Sequence, residues 1–377
     1  MIGMAAAMGI GRFVYTPLLP GMMDQLGLSA GDAGWIASAN YLGYLVGAVF
    51  AAGGWASGRE RPLMLAGLGA STVLVAAMGL TENLALFLAI RFLAGLASAF
   101  VMVFLASIVF GQLATARRTD LQALHFGGVG LGIAVSSAMM LVLVATAADW
   151  RAGWLWSAAL SAASLLAVAL LLGRGSSAAG PRLVEPKLPA GAPLVRLIVA
   201  YGLFGFGYIV TATFLVAIMR QGDAGREFEA IVWLATGLAG IPSVFVWNRI
   251  AARIGLTRAY ALGCHVQAAG VPASVAIGGV AGPLIGGLLL GMTFIAVTAL
   301  GLQAARLLAP LSARRVFALM TASFGVGQIV GPVFAGILAE ATGSFTLPSL
   351  AAALALIVSG LVARSVLPPQ KTPDRPR

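Results

Sequence analysis

Charged residues are scarce in this chain. Asp, Glu, Lys and Arg together make up 9% of its 377 residues, whereas soluble domains carry about a quarter. Hydrophobic residues make up 60%, the mean hydropathy is +0.98, and no polar stretch is long enough to cover a soluble core. The composition therefore excludes an ordinary soluble protein and predicts a chain that folds in the lipid bilayer.

Cysteine and histidine are nearly absent. The single cysteine, Cys264, excludes an internal disulfide, and the two histidines have no zinc-ligand spacing. No ATP-binding loop motif occurs, so we expect neither a metal nor another cofactor. The net charge of +11 is not gathered on a solvated domain, so no nucleic-acid partner is expected.

Long apolar runs dominate what is present. Twelve runs of membrane-spanning length are separated by clusters of Pro, Gly and charge. They cover residues 1–23, 33–56, 62–80, 84–110, 123–147, 152–173, 193–219, 230–248, 259–278, 281–302, 316–341 and 346–363. The alternating pattern of a membrane barrel is missing, and lone strands cannot satisfy their backbone in lipid. The predicted fold class is therefore an all-α membrane protein with twelve transmembrane helices.

Lys and Arg are divided unevenly between the two sides of this predicted bundle. With the N-terminus placed inside, seventeen of the 23 fall on cytoplasmic connections and the tail, and only Arg151, Arg220 and Arg226 fall outside. Because positive residues collect on the cytoplasmic side, we predict a multi-pass protein of the bacterial inner membrane with both termini cytoplasmic. No cleaved signal peptide is expected, and the missing basic lead-in is consistent with a start codon further upstream.

The longest central connection, 174–192, is rich in Gly, Ser, Ala and Pro and divides six runs from six. We therefore predict an N-terminal six-helix bundle over 1–173, a cytoplasmic linker over 174–192, a C-terminal six-helix bundle over 193–367 and a cytoplasmic tail over 368–377.

The two halves echo each other in sequence. The segment that begins at Gly11-Arg12 aligns with the one at Gly207-Tyr208 at an offset of 196, and 125–127 aligns with 323–325 at an offset of 198. Two matches at nearly equal offsets predict a duplicated six-helix unit, as in parallel transporter repeats. Tyr208 is then the repeat partner of Arg12.

Two segments carry a family resemblance. The segment 9–20 reads GIGRFVYTPLLP and the segment 34–44 reads GWIASANYLGY; both are similar to the YbfB/YjiJ-like branch of the major facilitator superfamily. The superfamily resemblance covers nearly the whole chain. It implies two pseudo-symmetric six-helix bundles, with spans one, four, seven and ten around a central cavity and spans three, six, nine and twelve outermost. It also implies transport by alternating access.

Three motifs qualify this resemblance. The segment 53–61, GGWASGRER, keeps only part of the superfamily signature after span two, whereas RFLAG at 91–95 resembles the arginine motif of span four. The glycines at 127–132 in span five lack the proline of the antiporter motif, so antiport is not supported, and GQIVGP occurs at 327–332 instead. We expect the span-five glycines to serve helix packing rather than nucleotide binding.

Arg12 is the leading candidate for a solute-binding residue. An arginine at the centre of a membrane helix costs about 2.5 to 3.5 kcal/mol and marks a functional site by default. Its place in span one puts it about 17 Å deep, near the midplane where transporters bind solute. There its guanidinium could bind a carboxylate or phosphate. The alternative is an arginine held by backbone carbonyls or a neighbouring helix, near the break imposed by Pro17 and Pro20.

Other polar side chains at helical spacing are further candidates for the same solute-binding site. Each of them could instead form hydrogen bonds between helices, and Arg91 could instead extend to the membrane surface. These candidates are Tyr15, Thr16, Asn40, Tyr41, Tyr44, Arg91, Tyr208 and Thr211. No Asp or Glu lies mid-span. Proton coupling would therefore depend on His125 or His265, unless the solute carries the charge or transport is uncoupled.

The sequence thus predicts a secondary active transporter of a small organic solute, monomeric in the bilayer, and the central arginine favours an anionic solute. The alternatives are a drug or metabolite efflux permease and a transporter-like receptor that binds solute without moving it. An enzyme is not expected, because two histidines and no mid-span carboxylate do not supply a convergent nucleophile and base.

Overall fold

The computed structural model describes residues 1–53, 55–56, 58–173, 186, 188–189, 191–221 and 225–366. Within them, each of the twelve predicted runs forms a helix or a broken helix, so the all-α fold class is confirmed. The helices are α1 (Ile2–Leu26), α2 (Ala30–Ala51), α3 (Glu60–Met78), α4 (Leu84–Thr115), α5 (Gln122–Ala145), α6 (Trp150–Leu171), α7 (Ala192–Gln221), α8 (Arg226–Gly240 with Ser243–Ile254), α9 (Leu256–Ala276), α10 (Ala281–Leu308), α11 (Ala313–Thr342) and α12 (Thr346–Arg364).

Most of these helices are long and apolar enough to cross a bilayer. Nine of the helices in the described part of the chain meet that description, and the bent pair of α8 would be a tenth span. The remaining two, α2 and α9, are rich in Gly and Ala but have 22 and 21 residues. At 1.5 Å per residue both are about as long as the 30 Å hydrocarbon core is thick.

Two spans are interrupted at or just before a proline. The pair that forms α8 bends by 47° between Arg226–Gly240 and Ser243–Ile254, where the sequence predicts one continuous span. The intervening Pro242 has no N–H to donate to the preceding turn, so the helix cannot continue straight. The first part of α8 packs mainly on α5 and α10, and the second part packs mainly on α10 and α9.

The break in α1 lies at the sequence motif that carries Arg12. A π-helix covers Ala5–Ile10, residues 11–14 form turns, and an α-helix restarts at Tyr15–Leu26. Pro17 cannot donate to the carbonyl of Phe13, and the N–H of Thr16 bonds that carbonyl instead, at 3.2 Å. The Arg12 carbonyl therefore loses its usual helical donor.

Glycines on α5 let three helices approach closely. A Cβ on Gly132 would lie 2.2 Å from the carbonyl oxygen of Ala5 in α1, and one on Gly130 would lie 2.6 Å from that of Gly237 in α8. Only a residue without a side chain fits either contact. The geometry agrees with the packing interpretation of these glycines.

The first six and the last six helices meet most tightly at one end of the bundle. We call the end that carries Leu26 and Ala30 the distal face, and the end that carries Met1 and Gln122 the proximal face. On the distal side of Arg12, Thr16 Oγ1 donates to the Ala212 carbonyl at 2.6 Å, and Ser38 Oγ donates to the Ile329 carbonyl at 2.7 Å. These bonds join α1 to α7 and α2 to α11.

An ion-pair network crosses the same distal face. Arg220 at the end of α7 contacts Asp24 of α1 and forms two bonds to Glu229 of α8, at 2.5 and 2.7 Å. The Glu229 side chain is only 5% exposed, and that of Asp24 is 57% exposed. Asp24 therefore supplies the accessible half of a link between the first and the last six helices.

Candidate functional site

A central cavity of about 320 Å³ lies between the two sets of six helices. Among the described residues, its lining comes from α1, α2, α4, α5, α7, α10 and α11, and none of these lining residues belongs to α3, α6, α9 or α12. This arrangement confirms the expected placement of spans one, four, seven and ten around a cavity. The outermost helices face the surroundings of the bundle instead.

The cavity is buried at Arg12, and some of its lining residues nearer the proximal face are more exposed. Arg12, Tyr208 and Phe294, at its closed end, are at most 6% exposed. Phe110 and Leu302, nearer the proximal ends of their helices, are partly exposed. A solute that enters from the proximal side would therefore meet Arg12 last.

The Arg12 guanidinium is surrounded by neutral groups. Its Nη2 donates to Gln328 Oε1 at 3.0 Å, and its central carbon lies 4.7 and 4.2 Å from the ring centroids of Tyr41 and Tyr44. No carboxylate in the described residues lies within 4.0 Å of it, and its Nε–H is buried without a partner. The positive charge is thus held in place but not neutralised.

Gln328 is the site residue that sequence reasoning missed. It is 1% exposed, accepts from Arg12, and donates through Nε2 to the hydroxyl of Tyr208. The repeat had placed Tyr208 opposite Arg12, and the structure brings the two together through this amide. Gln328 lies in mid-span within the motif at 327–332, and this position could have identified it. Because glutamine is neutral, a search for charged residues within the spans does not find it.

Arg91 does not line the cavity. Its Nη1 donates to the Gly11 carbonyl at 3.1 Å and its Nη2 to the Arg12 carbonyl at 3.2 Å, while Asn40 Nδ2 donates to the carbonyl of Arg91 at 2.9 Å. The break in α1 frees these carbonyls, and a buried carbonyl without a donor is costly. The Arg91 side chain therefore stabilises the broken segment that presents Arg12, and Asn40 bonds the backbone of Arg91 in α4.

The remaining candidates on α1 and α7 also bond away from the cavity or lie beside it. Tyr15 donates its hydroxyl to the Ala33 carbonyl at 2.9 Å, and Thr16 joins α1 to α7 as described above. Thr211 is buried, and its hydroxyl has no partner. Of the predicted polar set, Arg12, Tyr44 and Tyr208 line the cavity, and Tyr41 stacks behind the guanidinium.

The two histidines lie in different surroundings. His125 on α5 packs between the rings of Phe110 and Phe126, with centroids 5.3 and 5.6 Å away, and both of those phenylalanines line the cavity. Both of its ring nitrogens are buried without a partner. His265 on α9 lies against Gly360 of α12 and is not among the residues that line the cavity. Only His125 is therefore near the path to Arg12.

A helical membrane bundle with this arrangement of spans around a dead-end central cavity defines a transporter of the major facilitator type. The chain matches the family described as "Uncharacterised MFS-type transporter YbfB" over residues 4–364, and it belongs to that family.

A solved structure supports the fold independently. The chain resembles the nucleoside transporter NupG with a TM-score of 0.78 over 97% of this chain and 98% of that one, at 12% sequence identity. At that identity the likeness shows the fold alone. No curated protein matches the chain in sequence.

Proposed function

We propose that this protein is a secondary active transporter of a small organic anion that works by alternating access, with Arg12 binding the anionic group. The observation that carries the proposal is the buried guanidinium at the closed end of the cavity, which no described carboxylate neutralises and whose Nε–H has no partner. A transporter needs a charge that is available to the solute rather than committed to the protein.

Magnitudes support a transient anion rather than a permanent partner. A cation–π contact contributes about 0.5 to 2 kcal/mol, and a hydrogen bond to a charged group about 1.5 to 3 kcal/mol. Tyr41, Tyr44 and Gln328 together can therefore hold Arg12 in the empty state. An anion 4 Å away would still gain about 4 kcal/mol of attraction at an effective dielectric of 20, before its own desolvation.

The unequal exposure of the two ends of the cavity supports alternating access. Some lining residues near the proximal face are partly exposed, whereas on the distal side of Arg12 the Arg220 network and the bonds of Thr16 and Ser38 join the first and the last six helices. With both termini cytoplasmic in the bacterial inner membrane, this is an inward-facing state. The outward-facing state requires breaking the distal contacts and closing the proximal ends of the helices, by rocking of the bundles 1–173 and 193–367.

A binding experiment tests the role of Arg12. Purified protein in detergent is titrated with benzoate, lactate and succinate, and its unfolding midpoint is followed. At 100 times the Kd, a bound anion stabilises the folded state by about 2.7 kcal/mol. We expect at least one anion to stabilise the unaltered protein and not Arg12→Gln. Arg196→Gln, which alters an exposed arginine bonded to the Ser365 carbonyl, is the control. Equal stabilisation of all three proteins would overturn the proposal.

Accumulation separates a transporter from a receptor. Proteoliposomes loaded with the stabilising anion are diluted into its radiolabelled form, and counterflow is measured. Transport predicts transient accumulation above equilibrium that Arg12→Gln abolishes. Binding without accumulation would favour a transporter-like receptor. The largely apolar lining also suits a drug or metabolite efflux permease, for which a neutral amphipathic drug would stabilise Arg12→Gln as well as the unaltered protein.

A further inference from the structure

We infer that the solute is a monocarboxylate with a flat, apolar ring, such as an aromatic acid. This inference rests on the proposed anion site at Arg12 and concerns the rest of the cavity, which the charge alone does not specify. The inference is based on two walls of the cavity, which differ in their chemistry, and on the number of charged residues that line it.

The first wall is aromatic and comes from the last six helices. We call Tyr201, Tyr208, Phe294 and Phe324 the aromatic wall. Tyr208 lies 6.0 Å from Phe294 and 5.5 Å from Phe324, with interplanar angles of 13° and 11°. Tyr201 lies 4.9 Å from Phe324 at 27°. All four line the cavity, so a ring entering it meets π surfaces with a shared orientation.

The second wall is methionine-rich and comes from α1 and α4. Met4, Met8 and Met102 line the same cavity as the aromatic wall but belong to the first six helices. Thioethers are flexible and polarisable, and they make favourable contacts with aromatic rings. The methionines therefore suit a ring without fixing its substituents.

The position proposed for the carboxylate, at Arg12, adjoins the position proposed for the ring, at the aromatic wall. The guanidinium carbon of Arg12 lies 6.0 Å from the ring centroid of Phe13, which in turn lies 5.6 Å from Phe294 of the aromatic wall. Gln328 also connects Arg12 to Tyr208 of the same wall. A carboxylate on Arg12 therefore places the atoms attached to it beside the aromatic wall.

Charge limits the solute to one anionic group. Arg12 is the only cation among the described lining residues, and none of them is an acid. A second carboxylate would lie against apolar walls without a counter-ion, and an ammonium would find no carboxylate, and both situations are costly. The chemistry thus disfavours dicarboxylates and amino acids.

Size limits it further. A volume of about 320 Å³ is at the lower end of the range of about 300 to 1,000 Å³ for ligand pockets. One ring with a short acidic substituent is compatible with that space.

The test compares probes on the unaltered protein by isothermal titration: benzoate, hexanoate, succinate and benzamide. Hexanoate keeps the carboxylate without the ring, succinate adds a charge, and benzamide keeps the ring without charge. We expect benzoate to bind about 2- to 13-fold more tightly than hexanoate, the factor for one ring contact. Succinate and benzamide should each bind at least about tenfold more weakly than benzoate.

A matched pair of variants locates the ring preference. Phe294→Leu removes one ring of the aromatic wall and should lower the affinity for benzoate more than the affinity for hexanoate, so that the ratio between them falls. Phe334→Leu is the control, because Phe334 is 39% exposed and packs on Phe206 outside the cavity.

The outcomes are distinguishable. Equal affinity for benzoate and hexanoate, or succinate binding as tightly as benzoate, would overturn the ring-bearing monoanion while Arg12-dependent anion binding stood. Absence of binding by all three anions would overturn the proposed function itself. Because the probe comparison uses the unaltered protein, it does not depend on whether a variant folds.

Discussion

The distal ion-pair network offers a test of alternating access that does not need the solute. Asp24→Asn removes one charge from the link between α1 and Arg220 while keeping the shape of the side chain. Asp24 is 57% exposed and Arg220 is 27% exposed, so the lost attraction is that of an exposed pair, about 0.2 to 1 kcal/mol. Dividing this free energy by RT, about 0.59 kcal/mol, and taking the exponential gives the expected change in populations. The ratio of molecules open at the distal face to molecules closed there should rise about 1.4- to 5-fold.

Alkylation of an introduced cysteine measures that ratio. Met140 on α5 is 8% exposed and lines a cleft of about 20 Å³ beside Arg220 and Glu229, a volume with room for about one water. Met140→Cys should react with a maleimide only when the distal face opens. The native Cys264 is buried on α9 and contributes little background. The reaction rate should rise by the factor above in the Asp24→Asn background.

The control is another ion pair on the same face. Glu82 contacts Arg151, but both residues lie in the first half of the chain, so Glu82→Gln should leave the rate unchanged. Salt should raise the rate in the parent protein and have a smaller effect after Asp24→Asn, because screening weakens the same attraction. An unchanged or slower rate in Asp24→Asn, or an equal increase in Glu82→Gln, would refute the assignment of this network as a distal gate.

Three further predictions concern single residues. Gln328→Glu should abolish binding of benzoate in titrations while the protein remains folded, because a carboxylate near 3.0 Å from Arg12 replaces the solute's anion; retained affinity would contradict this. Arg91→Gln should lower the unfolding midpoint and weaken benzoate binding together. Arg91→Lys should restore stability more than affinity, because an ammonium keeps the positive charge but bonds the two carbonyls less well than the planar guanidinium does, and so positions the segment that carries Arg12 less well. Gly34→Ala should speed alkylation of the distal cysteine, because its Cβ would lie 2.3 Å from the Pro332 carbonyl across the α2–α11 contact; no change would argue against that contact as part of the closed state.

The helical framework is largely predictable from sequence because lipid leaves few alternatives. Twelve apolar runs become twelve helical segments, since backbone groups in a bilayer must bond within their own helix. The bend at Pro242 was not predicted, although proline supplies its cause. Polar residues such as Asn40 in α2 and Gln267 in α9 lower the mean hydropathy of these helices, yet their length and their neighbours still make them part of the bundle.

The charged residue of the site could be predicted from the sequence, but the residues that contact it could not. The cost of a mid-membrane guanidinium identifies Arg12, and the repeat identifies Tyr208, but the amide that joins them lies 316 residues from Arg12 in sequence. Arg91 has the same chemistry as Arg12 yet serves the backbone, because the rotation of α4 about its axis points it at the freed carbonyls. Helix rotation is set by packing between distant segments, which one sequence does not reveal.

A distance measurement tests the central claim, that Arg12 holds the solute's anion, most directly. Benzoate carrying ¹³C at its carboxylate is bound to protein carrying ¹⁵N in its arginine guanidinium groups, and the dipolar coupling between the two nuclei is measured by solid-state NMR. A carboxylate hydrogen-bonded to a guanidinium predicts a separation of about 4 Å or less, and the coupling should vanish in Arg12→Gln at the same benzoate concentration. Bound benzoate without coupling, or coupling that persists in Arg12→Gln, would contradict the account.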